Sequence, residues 1–344
     1  MISNIDYNFG RLVSHLKETN QFDNTIIIFT TDNGTARGIT KVKDSKEVLG
    51  YNAGLRGTKG SHYDGGHKVP FFISWPNGNI QKEGKSNDLV AHVDLLPTLA
   101  ELADIPFTAK KTLDGKSMVA TLKGEATESE RMLVTDTQRN QLPEKGRNPL
   151  VMQGEWRLVN GKELYNTLID EGQQNDIAAD YPERVKKMQS FYDDWWTSLE
   201  PDIRYAEIPI GDEKANPVLI TIHDMHTSDN IPWNQVQIRK GEANPDGYYS
   251  INVVEDGSYQ FKLFRYSPES GLGINASVEK IEGTSFMDEL PEGKVLKIDK
   301  GLIEIGGTTF ESDAEKSDNF LTVKANLSKG SYELRSTFLS QGGT

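Results

Sequence analysis

The stretch TIIIFTTDNG, residues 25–34, decides the fold: an unbroken β-branched and aromatic run ends abruptly in Thr31-Asp32-Asn33-Gly34. A run without polar alternation suits a strand covered on both faces, as in an α/β sheet. In open α/β sheets the carboxyl end of such a strand is where ligands sit. Asp32 and Asn33 place a carboxylate and an amide carbonyl there. Both are hard oxygen donors suited to Ca²⁺, with Mg²⁺ as the alternative. A zinc site would place imidazole beside the Asp. Asp-Asn-Gly also makes an ordinary turn after a strand. The residues that follow favour the cation reading.

One loop later comes LRGTKGSHYDGGHKVP, residues 55–70, in which Arg56, Lys59 and His62 stand among glycines. Lys59 lies in Gly57-Thr58-Lys59-Gly60, whose small residues let the backbone approach a tetrahedral oxyanion. A fixed ammonium there would neutralise one oxygen and stabilise charge developing on the leaving group. His62 reads as a substrate ligand or proton shuttle, or as a plain loop histidine. Arg56 reads as a partner for a substrate acid or for Asp64, and the pairing with Asp64 is the favoured reading. Asp64-Gly65-Gly66 shapes the turn before a strand at Val69–Trp75. The whole reads as half of an anion site: oxygen ligands for a cation, then cationic donors for the anion bridging to it.

Working outward, residues 2–19 carry Ile2, Ile5, Phe9, Leu12, Val13 and Leu16 at helical spacing. A chain opening inside an amphipathic helix reads as cut from something longer. A short strand is expected at Leu89–Val93, a helix over Leu95–Leu102 and a buried strand at Arg131–Thr135. From Val151 the texture changes to a hairpin tipped by Asn160-Gly161 and a helix from Pro182 to Trp196, lined by Val185, Met188, Tyr192 and Trp195. After Pro201 the helix signal disappears. Tyr249/Ile251/Val253 and Tyr259/Phe261/Leu263 alternate on either side of Glu255-Asp256-Gly257, a hairpin signal. Strand-like runs at 216–223, 295–305, 319–325 and 331–338 complete an all-β domain, read as a sandwich.

The 344 residues suffice for about two domains, with 36% hydrophobic and 26% charged residues, an ordinary globular composition. The net charge of −13 argues against nucleic acid and anionic membranes as partners, and makes any anion recognition local. No apolar run approaches a membrane span, and the start MISNIDYNFG has neither the basic region nor the apolar core of a signal peptide. The absence of cysteine excludes disulfides, thiolate metal sites and Cys nucleophiles within these residues.

Two stretches imitate functional motifs. Asp180-Tyr181-Pro182-Glu183-Arg184 copies the spacing of a nucleophile motif described below, but Asp followed by Pro reads as a helix start. His223-Asp224-Met225-His226 places two histidines three apart, with no third ligand evident.

The helix ending LVSHLKETNQFDNT, the strand TIIIFTTDNG, the block LRGTKGSHYDGGHKVPFFISWPNG, the segment AHVDLLPTLAELADI and the tail WRLVNGKELYN with YDDWW stand in an order that resembles type I sulfatases of the alkaline-phosphatase superfamily. Asp64 and Lys68 replace the Glu and Arg commonest in this block. The resemblance implies an α/β fold over residues 1–200, a partial sulfatase-like sheet with flanking helices and a small hairpin-plus-helix subdomain at 150–200. Residues 205–344 would then be an accessory β domain. It further implies that Asp32 and Asn33 complete a Ca²⁺ site begun by two N-terminal aspartates and a formylglycine, and that Lys59 contacts the sulfate. The formylglycine is made from Cys or Ser in a motif Cys/Ser-x-Pro-x-Arg, which these residues lack. The expected partners are a sulfated small molecule or glycan and an N-terminal half, in a periplasmic or secreted setting. A phosphodiesterase or phosphomutase of the same superfamily is the second reading, which Asn33 in place of His disfavours. A catalytically silent glycan-binding protein is the third.

Overall fold

The computed structural model describes residues 2–36, 40–41, 48–125, 130–138, 140–241, 245–285, 287–315 and 319–340. It is a mixed α/β structure with several sheets, divided into two compact units, Ile2–Ile203 and Arg204–Thr344.

The first unit opens with helix α1 (Ile2–Glu18), followed by strand β1 (Ile27–Thr30). Next come the short strands β2 (Thr40–Lys41) and β3 (Val48–Leu49), which pair with each other, a helical turn α2 (Asp64–His67) and strand β4 (Phe71–Ser74). Helices α3 (Leu95–Leu102) and α4 (Val119–Lys123) lead to the antiparallel strands β5 (Met132–Asp136), β6 (Pro149–Gln153), β7 (Trp156–Val159) and β8 (Glu163–Asn166), and then to α5 (Pro182–Leu199).

The decisive run does form a strand, but its surroundings differ from the expectation of burial on both faces. Among the described residues β1 pairs with β4 alone, antiparallel, with Ile27 opposite Ser74 and Thr30 opposite Phe71. All four β1 residues are only half-buried and α1 has no buried residue, although Phe9 meets Phe29 edge-on at 5.7 Å. A β-branched run specifies extended backbone; which segments cover it is a tertiary matter. The strand expected at Leu89–Val93 is also absent. Its end is a 3₁₀ turn, His92–Asp94, because Asp94 acts as a buried hub. The Asp94 carboxylate accepts the N–H groups of Ala91 and Lys116 at 2.8 and 2.9 Å and a two-pronged contact from Arg131 at 2.5 and 2.9 Å.

The β5–β8 sheet carries the core of this unit. One face packs Val151, Leu158 and Leu164 against Met188, Tyr192 and Trp196 of α5. At roughly 1.5–3 kcal/mol for each large apolar side chain taken from water, this layer outweighs any local propensity in the segment. Trp196 is the buried tryptophan, 5% exposed, whereas the expected Trp195 lies at the margin. Leu150, Met152, Val159 and Tyr165 are packed with Tyr63, Leu89 and Ala91, which brings the glycine-rich block onto this sheet. Asn160 and Gly161 take left-handed φ values of 52° and 64° and close the β7–β8 hairpin. Strand β6, which pairs with both β5 and β7, was not among the sequence expectations.

In the second unit, strands β9 (Ile208–Ile210), β10 (Tyr249–Val253), β11 (Gly257–Leu263), β12 (Ile298–Ile305), β13 (Thr308–Asp313), β14 (Leu321–Leu327) and β15 (Gly330–Ser340) are accompanied, among the described residues, by one short α-helix, α6 (Gln235–Lys240). The hairpin expected across Glu255-Asp256-Gly257 does not form. β10 pairs with β15 and β9, while β11 pairs with β14, so this turn carries the chain from one sheet to another. Asp256 caps the crossing by accepting the Lys329 N–H at 2.6 Å. The expected strand at 216–223 is likewise absent, and Ile222–Asp224 forms a 3₁₀ turn capped by the Asp224 carboxylate. The five-stranded sheet runs β13-β12-β15-β10-β9. Its Ile251, Val253, Ile303 and Ile305 share one core with Val323, Ala325 and Leu327 of β14. Among the described residues no helix is long and apolar enough to cross a membrane.

Candidate functional site

The turn after β1 is fixed by its own polar groups. Thr31 Oγ1 donates to the Asn33 carbonyl at 3.2 Å, and Asn33 Nδ2 donates to the Gly34 carbonyl at 2.8 Å. The Gly34 N–H then reaches the Gly66 carbonyl at 3.0 Å. The approach is so close that a Cβ on Gly34 would stand 2.0 Å from the Gly65 carbonyl oxygen. Only glycine permits this contact.

The second turn is Thr58–Ser61, closed by a Ser61 N–H to Thr58 carbonyl bond of 2.8 Å with Gly60 at φ 81°. A positive φ at the third position is a type II feature and calls for glycine. Lys59 sits at the tip, exposed, and its own N–H donates to the Thr35 carbonyl at 3.0 Å. One main-chain bond therefore ties the Gly-Thr-Lys-Gly turn to the residue after the Asp-Asn-Gly turn, and another ties Gly34 to Gly66 of the same glycine-rich block. Asp32 is exposed and Asn33 half-buried. His92, unforeseen from the sequence, also reaches the first turn: a ring nitrogen lies 3.2 Å from the Thr31 carbonyl.

Arg56 and His62 face other partners. Arg56 does not meet Asp64, contrary to the favoured reading. Its guanidinium donates to the hydroxyls of Tyr165 at 3.0 Å and Tyr63 at 2.8 Å and to the Gln173 carbonyl at 2.9 Å. It also lies 3.6 Å from the centre of the Tyr63 ring, with Glu163 at 3.8 Å. Two aromatic faces and a carboxylate hold a planar cation better than one aspartate does. Burial, with Glu163 beside it, pushes the Tyr63 hydroxyl up to about 12, so this phenol stays protonated. Asp64 is taken instead by Arg157, whose Nε lies at 3.0 Å, with His67 Nε2 at 3.6 Å. The His62 ring packs on Tyr63 with centroids 4.9 Å apart, and a ring nitrogen lies 3.2 Å from Asn160 Nδ2. Burial holds its pKa below the usual histidine value, aided by the Arg56 charge and opposed by Glu163. His62 is thus a neutral imidazole at pH 7.

The imitations resolve into structure. Pro182 opens α5, and Arg184 donates to Gln153 at 2.9 Å while lying over Trp156. His226 stacks between Tyr205 and Tyr248, with ring centres 4.4 and 5.2 Å away.

Residues 1–105 match the Sulfatase family model. Among curated relatives, the N-acetylgalactosamine-6-O-sulfatase of Bacteroides thetaiotaomicron is 25% identical over 210 residues, 55% of this chain and 39% of that protein. The uncharacterized sulfatase YdeN of Escherichia coli is 34% identical over 122 residues, 36% and 20% of the two chains. Human steryl-sulfatase is 28% identical over 130 residues, 38% and 22%. The matched part of the chain thus spans less than two-fifths of each relative's length. Among solved structures, Ps i-CgsB in complex with k-i-k-neocarrahexaose aligns with a TM-score of 0.48 at 27% identity, over 57% of this chain and 41% of that one. The family model and the relatives make this a type I sulfatase-like protein, with the family match itself confined to residues 1–105.

Proposed function

We propose that the chain contributes part of the active site of a sulfate ester hydrolase acting on a sulfated glycan or aryl sulfate. The observation that carries this reading is the pair of main-chain bonds, Gly34 to Gly66 and Lys59 to Thr35, which set oxygen donors and an ammonium on adjoining turns. A bare turn after a strand would not require the second loop.

Asp32 and Asn33 are donors of the kind a hard divalent cation takes, although among the described residues no group of three or more His, Cys, Asp or Glu side chains could hold a metal ion. Asn33 spends an amide N–H on the Gly34 carbonyl, which fixes the amide and leaves its side-chain oxygen as an acceptor, and Asp32, next to it in sequence, supplies a carboxylate. Ca²⁺ prefers about 6–8 oxygens, so the remaining ligands come from outside this pair. Bound there, the cation would polarise a sulfate oxygen and favour ionisation of a coordinated nucleophile. Lys59 neutralises charge on the sulfate and on the departing oxygen. His62, neutral, is suited to accept or return a proton. Arg56, enclosed by Tyr63, Tyr165 and Glu163, positions the Tyr63–His62 pair. The nucleophile, a formylglycine in this reading, comes from a segment other than these residues, and the setting that goes with this reading is periplasmic or secreted. The accessory unit is read as sandwich-like, because its two sheets share a core.

The test is sulfate release by a complete sulfatase containing these residues. Sulfated galactosamine oligosaccharides and 4-nitrophenyl sulfate are compared with 4-nitrophenyl phosphate. Sulfate esters should be preferred, and Asp32→Ala should remove the cation dependence. Preference for the phosphate ester, or an Asp32→Ala variant with unchanged cation dependence, overturns the reading.

A further inference from the structure

The second unit contains a cavity of about 400 Å³ on the outward side of its five-stranded sheet. Its lining follows from strand register. Glu304 on β12 stands opposite Thr309 on β13 and Arg335 on β15, and Leu302 stands opposite Thr337 one row along. These side chains alternate with Ile303, Ile305 and Leu334, which point into the core. The segment Pro245–Gly247 forms a wall. Next to Arg335, its guanidinium 5.7 Å from the ring centre, lies Tyr248, the end of the Tyr205–His226–Tyr248 stack.

We propose that this cavity binds a neutral, hydroxyl-rich saccharide, separately from the sulfatase-like site. The chemistry of the lining excludes the other ligand classes in turn. Arg335 already has Asp246 at 3.1 Å and Glu333 at 3.8 Å, and Glu304 stands beside it. The lining therefore carries excess negative charge, and a sulfate or phosphate is repelled. A divalent cation would need the carboxylates free, but Asp246 is committed to Arg335. Leu302 and Pro245 supply little surface for an apolar ligand. Vicinal sugar hydroxyls match what remains. The Glu304 carboxylate accepts, the Arg335 Nε and Nη2 groups, outside the Nη1 bonds to Asp246 and Gly247, donate, and the threonine hydroxyls do either. Among the described residues, no protein hydrogen bond occupies the side chains of Glu304, Thr309 or Thr337. The volume lies within the ~300–1,000 Å³ of small-molecule sites. Such a site would hold the chain on an unsulfated stretch of a polysaccharide.

Calorimetric titration of the whole chain with unsulfated oligosaccharides of galactose, glucose and N-acetylglucosamine, and with their sulfated counterparts, tests this. At least one neutral sugar should bind more tightly than about 1 mM. Glu304→Gln and Thr309→Val should each weaken it by about 5-fold, as loss of one hydrogen bond does, without changing the melting temperature. Sulfated counterparts should bind more weakly. Failure of every neutral sugar to bind, preference for a sulfated form, or binding indifferent to both substitutions overturns the proposal.

Discussion

Arg157 reaches back across 93 residues of sequence to hold the carboxylate of Asp64, its Nε 3.0 Å from Oδ1. Asp64 is fully buried, and Arg157 also donates to the carbonyls of Gly154 and Trp156, so the pair ties the glycine-rich block to the start of β7. Removing one member of a buried pair leaves an uncompensated charge, which costs about 3–5 kcal/mol, far more than a surface pair contributes. Arg157→Met should therefore destabilise the first unit by about that much in urea unfolding. Asp64→Asn combined with Arg157→Met should recover part of the loss, and equal stability of Arg157→Met and the native chain would refute the assignment.

Lys59→Ala should leave stability unchanged, because the side chain is exposed at the tip of its turn. In a complete sulfatase containing these residues it should lower kcat/KM by about 10²-fold or more, the usual effect of losing one preorganised donor at the developing charge. An unchanged kcat/KM would make Lys59 an ordinary surface lysine.

The order of motifs was legible because each depends on local chemistry: glycines where turns need positive φ or close approach, hard oxygens at a strand end, apolar residues at helical spacing. Asp32, Asn33 and Lys59 were singled out this way, and main-chain bonds join the segments that carry them. What remained hidden is non-local. No spacing rule joins Arg56 to Tyr165 and Gln173, or Asp64 to Arg157, since the partners lie about one hundred residues apart. The Asp256-Gly257 turn misled for the same reason: both strands alternate correctly, but β11 finds a better partner in β14. Alternation fixes which face of a strand is buried, and says nothing of its neighbour.

The isolated chain should bind calcium weakly and leave 4-nitrophenyl sulfate intact. Asp32 and Asn33 are two oxygen donors against the 6–8 a calcium ion takes, and water competes for the rest. The chain contains neither a cysteine nor a Ser-x-Pro-x-Arg motif to serve as precursor of a covalent catalyst. Calorimetry should find no site tighter than about millimolar. A micromolar site, or calcium-dependent release of 4-nitrophenol, would show that these residues hold more of the site than proposed.

Stability of the first unit should fall as the pH drops below about 6.5. Burial depresses the pKa of both His62 and His67, with Asp64 opposing the shift at His67. The unfolded chain then binds more protons than the folded one between the folded pKa values and 6.5, so acidification favours unfolding across that window. Melting temperatures from pH 7.5 to 5 should decline with this slope. The double substitution His62→Gln, His67→Gln should flatten it; an equal slope in that variant would place the titration elsewhere.

The unit Arg204–Thr344 should fold alone. Its core is its own: Ile251 and Val253 of β10, Ile303 of β12 and Val323 of β14 are each at most 1% exposed and pack together across two sheets. Roughly 140 residues suffice to close one such core. The long pairings β12–β15 and β11–β14 lie within the unit, so none of its principal ladders needs a strand from the first 203 residues. Expressed by itself, the segment should show a cooperative thermal transition, and Ile303→Ala should lower its stability by about 2–5 kcal/mol through the cavity it leaves. An unfolded product by circular dichroism, or a broad non-cooperative melt indifferent to Ile303→Ala, would mean that this core forms only with the rest of the chain attached.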